Sequence, residues 1–193
     1  MINILDFIPK KDNYFLKGNL KNGVRSCDIG LTRYYGNNPL SEFVKNKIQS
    51  VTGGIFNHAF FVGKEADIIE AEANGIKKNK LEKYVKNEDG VLIFRLKHLP
   101  DNLKSMMLSF AYAQIGKKYD YKGLLSFVLP FLRQEENSYY CSEFVWDIYN
   151  IIGIKICEKK DGRVSPADLF YALKNSNKFF IADYKNLDIN RII

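Results

Sequence analysis

Apolar residues recur with a helical period in the stretch that follows Cys141. They occupy positions 144, 145, 148, 151 and 152, which is the spacing of a helix that buries one face. Gly153 comes directly after the last of them, as glycine often does where a helix ends. The turn-forming pair Asn137-Ser138 precedes the stretch. The pattern predicts a helix over residues 141–152, with Cys141 at or next to its first residue.

Short apolar runs bounded by glycine or asparagine predict strands. The run HAFFV at 58–62 ends at Gly63, and the run DIIEAEA at 67–73 ends at Asn74-Gly75. Because these two runs are close together in the chain, we expect them to pair as antiparallel neighbours. Strands are predicted at 24–32, 58–62, 67–73, 91–96 and 179–183.

Three further segments carry helical spacing or helix-capping signals. Ser41 is suited to cap a helix over 40–51, and a second helix is expected over 102–115. Ser165 followed by Pro166 predicts the start of a third helix that runs to about Lys174. Strands and helices are mixed along the chain without repeats or linkers, so we expect one α+β domain over residues 1–193.

Composition narrows the classes of function. The 193 residues carry a net charge of +7, but the 29 lysines and arginines are interleaved with 22 acids. No dense basic block is present, so nucleic-acid binding is not expected. The three cysteines are too few and too widely spaced for a disulfide framework, and neither they nor the two histidines have zinc-ligand spacing. We therefore expect a reduced protein without a metal or cofactor.

The location of the protein is predicted from what the sequence lacks. Residues 1–9 have no basic region ahead of an apolar stretch, so they do not resemble a signal peptide. No run reaches the roughly 18 apolar residues that a membrane span needs. A cytoplasmic location is the expectation for the sequence as given.

Cys141 is the candidate nucleophile. At the start of a helix, the unpaired backbone N–H groups and the macrodipole favour the thiolate over the thiol. The same N–H groups can stabilise an oxyanion that forms when the thiolate attacks a carbonyl. The alternative is an ordinary buried cysteine in an amphipathic helix, which would make the protein a non-catalytic binding module.

A cysteine hydrolase also needs a base and a group that orients the base. His58 opens a core strand, where its side chain can face a cleft, whereas His98 lies at the end of a strand and suits a solvated role. Glu70 lies in the interior of an apolar strand, where an acid is costly unless it is paired. Glu72 is closer to the turn and is expected at the solvated rim. The favoured set is Cys141, His58 and Glu70.

These residues fall within motifs that resemble a known family. The motifs are CDIGLT at 27–32, NHAFFVG at 57–63, IEA at 69–71 with Asn74-Gly75, and YCSEF at 140–144. Together they are similar to the NlpC-type papain-like cysteine peptidases and amidases, and more narrowly to the circularly permuted branch that includes relatives of lecithin:retinol acyltransferase. In that branch the histidine strand precedes the cysteine helix, as it does here.

The resemblance covers about residues 24–172 and implies a papain-like α+β fold, with an antiparallel sheet packed against the cysteine helix. It implies that Cys141 is the nucleophile, His58 the base and Glu70 the polar third residue. It also places Tyr140 close to the substrate. The implied chemistry is cleavage of an amide, such as a peptidoglycan-type or γ-glutamyl bond, through a thioester acyl-enzyme.

The apolar run at 123–132 leaves a second class of substrate open. Phe127 and Phe131 of this run are candidates for substrate binding, since the run ends nine residues before Cys141. If the run lines an exposed groove, the expected substrate is an acyl lipid, and the enzyme is an acyltransferase, lipase or thioesterase. Nearby lysines would then contact an anionic membrane. If the run is core, the substrate is a peptide. The oligomeric state is not indicated by the sequence.

Overall fold

A computed structural model describes residues 23–33, 54–86, 90–127, 129, 131, 135, 137–185 and 187. It contains a six-stranded sheet, a short two-stranded sheet and helices on the faces of the larger sheet, so the predicted α+β class is confirmed. The strands are β1 Ile29–Arg33, β2 His58–Val62, β3 Asp67–Glu72, β4 Gly75–Lys80, β5 Gly90–Leu96, β6 Lys118–Tyr119, β7 Ser138–Tyr139 and β8 Phe179–Lys185. The helices are α1 Glu82–Lys86, α2 Asp101–Ala113, α3 Tyr121–Leu125, α4 Cys141–Asn150 and α5 Pro166–Lys174.

The large sheet is antiparallel throughout, in the order β4-β3-β2-β1-β5-β8. The predicted pairing of the two runs after residue 57 is confirmed, because Phe61 pairs with Ile69 and Val62 with Ile68. The strand predicted at 24–32 begins only at Ile29. Cys27 has a φ of +72° and lies in a turn, so the chain cannot be extended before that point. The helix predicted over 40–51 lies outside the described residues.

Both faces of the sheet are covered. Alternation along β2 sends Ala59 and Phe61 to the face on which α4 packs, where Phe144 and Val145 are fully buried. Phe60 and Val62 point to the other face and join a second cluster with Tyr84 of α1. Because this second cluster covers the other face of the sheet, β2 carries apolar side chains on both faces.

A glycine on β1 makes room for that second cluster. Gly30 pairs with Phe60, and a Cβ at residue 30 would lie 2.0 Å from the Phe60 ring. The Phe60 ring stacks in turn on Tyr84, with centroids 5.0 Å apart and planes 10° apart. Any larger residue at position 30 would therefore displace the aromatic pair beneath the site described below.

Two helices begin where the sequence predicts. The helix α4 starts at Cys141 and ends at Asn150, and α5 starts at Pro166 after the N-cap Ser165. The Ser165 cap is completed by Asp168, whose side chain accepts from the Ser165 backbone N–H to form a capping box. Among the described residues, no helix is long and apolar enough to cross a bilayer.

Candidate active site

Cys141 is the first residue of α4, and hydrogen bonds anchor the residues on either side of it. Its neighbour Tyr140 has an extended backbone (φ −97°, ψ 167°) and no side-chain cap, so the N–H groups of the first helical turn are not taken by a capping side chain. The Tyr140 hydroxyl accepts from the Val164 N–H at 3.0 Å, and the Ser142 hydroxyl donates to the Val164 carbonyl at 2.8 Å. The residues on either side of Cys141 are thus both anchored to one residue of a neighbouring loop.

His58 and Glu70 contact each other through a short hydrogen bond. His58 Nε2 lies 2.6 Å from Glu70 Oε2, and both side chains are buried. A carboxylate can only accept, so Nε2 carries the hydrogen and Nδ1 is left as the lone-pair nitrogen of the neutral ring. The contact therefore selects the tautomer that a base needs if its Nδ1 faces the group to be deprotonated.

The strand ladder does not by itself choose Glu70 as the partner. Continued backward, the observed pairing of Phe61 with Ile69 would put His58 opposite Glu72. The pairing of β2 with β3 ends before that point, and the Glu70 carboxylate contacts His58 from a diagonal position on the neighbouring strand. Glu72 is 29% exposed and contacts Asn79 and Lys83 instead.

Three residues that the sequence analysis missed surround the Glu70 carboxylate. Oε2 accepts from the Tyr84 hydroxyl at 2.5 Å, and Oε1 accepts from Asn79 Nδ2 at 2.8 Å and from Lys83 Nζ at 2.9 Å. They lie on β4 and α1, two elements that were not predicted. Asn74-Gly75 at the end of a predicted strand is a hairpin signal, and it could have revealed β4.

These donors keep Glu70 ionised. Burial alone would raise the pKa of the Glu70 carboxyl, but the hydrogen bond and charge of His58, with the Lys83 ammonium and the Tyr84 hydroxyl, hold it well below its usual range. Its side chain has no solvent exposure. An ionised carboxylate in that position favours a positive charge on the ring beside it.

His58 also interacts with Cys141. Burial alone would lower the pKa of His58, but the Cys141 sulfur, by charge and hydrogen bond, and the Glu70 carboxylate raise it to about 9. The imidazolium is therefore stabilised between two groups that can both be negative. This is the electrostatic arrangement of a thiolate–imidazolium pair.

Cys141 and His58 line one small pocket. Tyr140 and Phe127, which the sequence predicts to bind substrate, lie in its wall, and their rings meet edge to face with centroids 5.6 Å apart. The remaining lining residues are Asn57, Tyr119, Leu124, Ser142 and Pro166. The pocket thus joins the candidate nucleophile and base to a largely apolar wall.

The other candidate residues lie elsewhere. Phe131 is 77% exposed and is not among the lining residues of this pocket. His98 is exposed beyond the end of β5. Burial raises the pKa of Cys27 to about 12 and that of Cys157 to about 11, so neither resembles an activated thiol. Within the described part of the chain, no group of three histidine, cysteine or acidic residues could hold a metal ion.

Comparison with known proteins defines the class. Residues 36–161 match the family of permuted papain-like amidase enzymes, the YaeF/YiiX or C92 family. The match covers well over half of the chain and includes every residue of the pocket except Pro166. The chain belongs to this family, and the predicted relationship to permuted papain-like peptidases is confirmed.

One curated protein shows what the chain is similar to. It is the probable lipoprotein peptidase YaeF of Escherichia coli (strain K12), with 24% identity over 152 residues. The aligned part is 62% of this chain and 55% of the relative, so the chain spans about half the length of that protein. That relative is named as a probable peptidase.

Proposed function

We propose that this protein is a cysteine-dependent amidase or peptidase, with Cys141 as nucleophile, His58 as general base and acid, and Glu70 as the group that orients His58. The observation that carries the proposal is the 2.6 Å contact between His58 and Glu70 beside a pocket that also contains Cys141. The membership of the chain in a family of permuted papain-like amidases supports it. The substrate class is an amide of the peptidoglycan or γ-glutamyl peptide type.

The proposed reaction uses the three groups in turn. The Cys141 thiolate adds to the carbonyl carbon, and the resulting oxyanion is stabilised by N–H groups of the first turn of α4. The C–N bond breaks as the His58 imidazolium gives its proton to the departing amine, which leaves a thioester on Cys141. Water then attacks the thioester while neutral His58 accepts its proton, and the acid leaves as the thiolate and imidazolium are restored.

Limited alkylation tests whether Cys141 is the reactive thiol. Iodoacetamide near neutral pH should modify Cys141 before Cys27 and Cys157, because burial raises the pKa of both other thiols far above neutrality. Peptide mapping by mass spectrometry of the native protein measures the order. The matched control is Cys141→Ser, which should remove the fast modification and leave the slow ones. Preferential labelling of Cys157 would instead support a non-catalytic binding module.

A lipid-directed acyltransferase, lipase or thioesterase is a second candidate function, favoured by helix α3. Tyr121, Leu125 and Leu129 recur every fourth residue and are all exposed, and the Leu129 N–H donates to the Leu125 carbonyl at 2.9 Å. Leu124 of the same helix lines the pocket. The described lining residues include no lysine, arginine, aspartate or glutamate, which suits an uncharged acyl group.

Vesicle binding separates the two candidates. A lipid enzyme should co-sediment with phosphatidylcholine vesicles that contain phosphatidylglycerol, less so at high salt, and should cleave or transfer long acyl groups better than γ-glutamyl peptides. The variant Leu125→Ser, combined with Phe131→Ser, should weaken co-sedimentation, whereas Met106→Ser, an equal change at an exposed residue of α2, should not. Absence of vesicle binding, together with turnover of peptides alone, would leave the amidase.

A further inference from the structure

Lys83 connects the buried end of the candidate site to its rim. Its Nζ lies 2.9 Å from Glu70 Oε1 and also contacts the Glu72 carboxylate. The ammonium lies 5.1 Å from the centre of the Tyr84 ring, and its side chain is only 23% exposed. Lys83 is thus a mostly buried lysine that contacts the buried carboxylate with which His58 pairs. A surface salt bridge contributes little to stability, so that contribution does not account for the position of this lysine.

Counting charges shows what Lys83 supplies. In the proposed reactive form, Cys141 and Glu70 are negative and His58 is positive, which leaves one excess negative charge among these three buried groups. An uncompensated buried charge is costly, and such a group takes up a proton when no partner is present. Together with the Lys83 ammonium, these buried groups carry two negative and two positive charges; the second partner of Lys83, the Glu72 carboxylate, is 29% exposed and is better screened by solvent.

We propose that Lys83 is a positioning residue of this site, which balances the charge of Glu70 and thereby keeps the Cys141–His58 pair in its thiolate–imidazolium form. The inference rests on the proposed cysteine mechanism. Asn79 and Tyr84 also donate to Glu70, but they are neutral, so Lys83 alone among these three donors adds a full charge.

The titratable groups around Glu70, Lys83 and Cys141 determine whether replacement of Lys83 raises or lowers the pKa of the Cys141 thiol. Glu70 faces His58 of β2, its register partner Lys77 of β4, and Lys83 and Tyr84 of α1, while Lys83 faces Glu72 of β3 as well. Around Cys141 the facing groups are His58, Tyr119 of β6 and Tyr140. Burial alone would lower the pKa of Lys83, but the two glutamates raise it, so Lys83 stays charged through the working range.

Removal of this charge should make the thiolate harder to form. If Glu70 remains ionised without Lys83, its uncompensated charge raises the pKa of the Cys141 thiol through Coulomb repulsion. If Glu70 instead takes up a proton, His58 loses the anion that stabilises its imidazolium, and the thiolate loses its partner. Both routes shift the ionisation of Cys141 to higher pH.

The test is the pH dependence of Cys141 alkylation by iodoacetamide, followed by mass spectrometry on the full chain. Lys83→Met should move the midpoint of thiolate formation upward by about one pH unit, while Lys83→Arg should keep it near the wild-type value. Lys83→Gln keeps a hydrogen-bond donor but removes the charge, so it should behave like Lys83→Met, and it serves if the methionine variant fails to fold.

The controls separate charge from structure. Lys78→Met makes the same change at a lysine that pairs with Asp67, and Glu72→Gln removes only the exposed partner of Lys83; neither should raise the midpoint. A lower alkylation rate or melting temperature in Lys83→Met and Lys83→Gln with an unchanged midpoint would overturn the inference about Lys83. An ordinary thiol midpoint in the wild type would instead overturn the proposed cysteine mechanism.

Discussion

Replacing His58 with alanine should abolish turnover and slow the alkylation of Cys141 near neutral pH. The ring lies between Cys141 and Glu70, and its imidazolium is stabilised there up to about pH 9. Without the ring, the thiolate loses its cation, and neither the leaving amine nor the attacking water has a proton-transfer group. When a general base and its nucleophile work together, removal of the base lowers kcat by about 10⁴-fold or more. The measurement is turnover of a substrate that the wild type cleaves.

His98 is the matched control for that substitution. It is the second of two histidines in the chain, and it is exposed beyond the end of β5. His98→Ala should therefore leave turnover and Cys141 alkylation close to wild type. A dead His98→Ala variant beside an active His58→Ala variant would show that the base has been assigned to the wrong residue.

Replacing Glu70 with glutamine should lower kcat/KM by up to ~10⁴-fold, the loss seen when an orienting carboxylate also sets the histidine tautomer. Glutamine has the shape of glutamate but no charge, so it cannot stabilise the imidazolium as the carboxylate does. The pKa of His58, raised by Cys141 and Glu70, should fall in the variant. Because the imidazolium is present below that pKa and lost above it, activity should decline at a lower pH than in the wild type. The pH profile of kcat/KM measures both effects.

Glu72 provides the comparison for Glu70. It lies two residues further along β3, is partly exposed and contacts Lys83 and Asn79. Glu72→Gln should change kcat/KM by no more than a few-fold, because Glu72 is partly exposed and Lys83 keeps its contact with Glu70 in the variant. A large loss in Glu72→Gln with near wild-type Glu70→Gln would move the orienting role two residues along the strand. Thermal melting of both variants excludes a loss of fold as the cause.

The elements that carry the candidate nucleophile and the candidate base could be predicted because their signals are local. The apolar spacing after Cys141 and the glycine at 153 predict α4, whose first residue is Cys141. The apolar run at 58–62 predicts β2 with the same bounds. The Ser165 and Pro166 pair likewise predicts the start of α5. Each signal lies within a few residues of the feature that it predicts.

The segment that supports Glu70 was missed for the opposite reason. Residues 75–86 are rich in lysine and have few apolar positions, so their own pattern resembles a solvated loop. They become β4 and α1 because β3 offers an edge for pairing and because Tyr84 stacks on Phe60. The stacking joins residues that are distant in the sequence, so no local pattern reports α1, whereas the β3–β4 hairpin is local and is signalled by its turn at Asn74-Gly75.

The sequence by itself determined the class of fold and the candidates Cys141, His58 and Glu70, because helix starts, strand alternation and an acid in an apolar strand are properties of short stretches. Only the tertiary structure decided which glutamate contacts His58, since the strand register would favour Glu72 while the side chain of Glu70 makes the contact. It alone placed Phe127 in the pocket wall and Phe131 on the surface. It also brought the charge of Lys83 to Glu70, because a buried carboxylate draws its donors from whichever elements the fold brings near it.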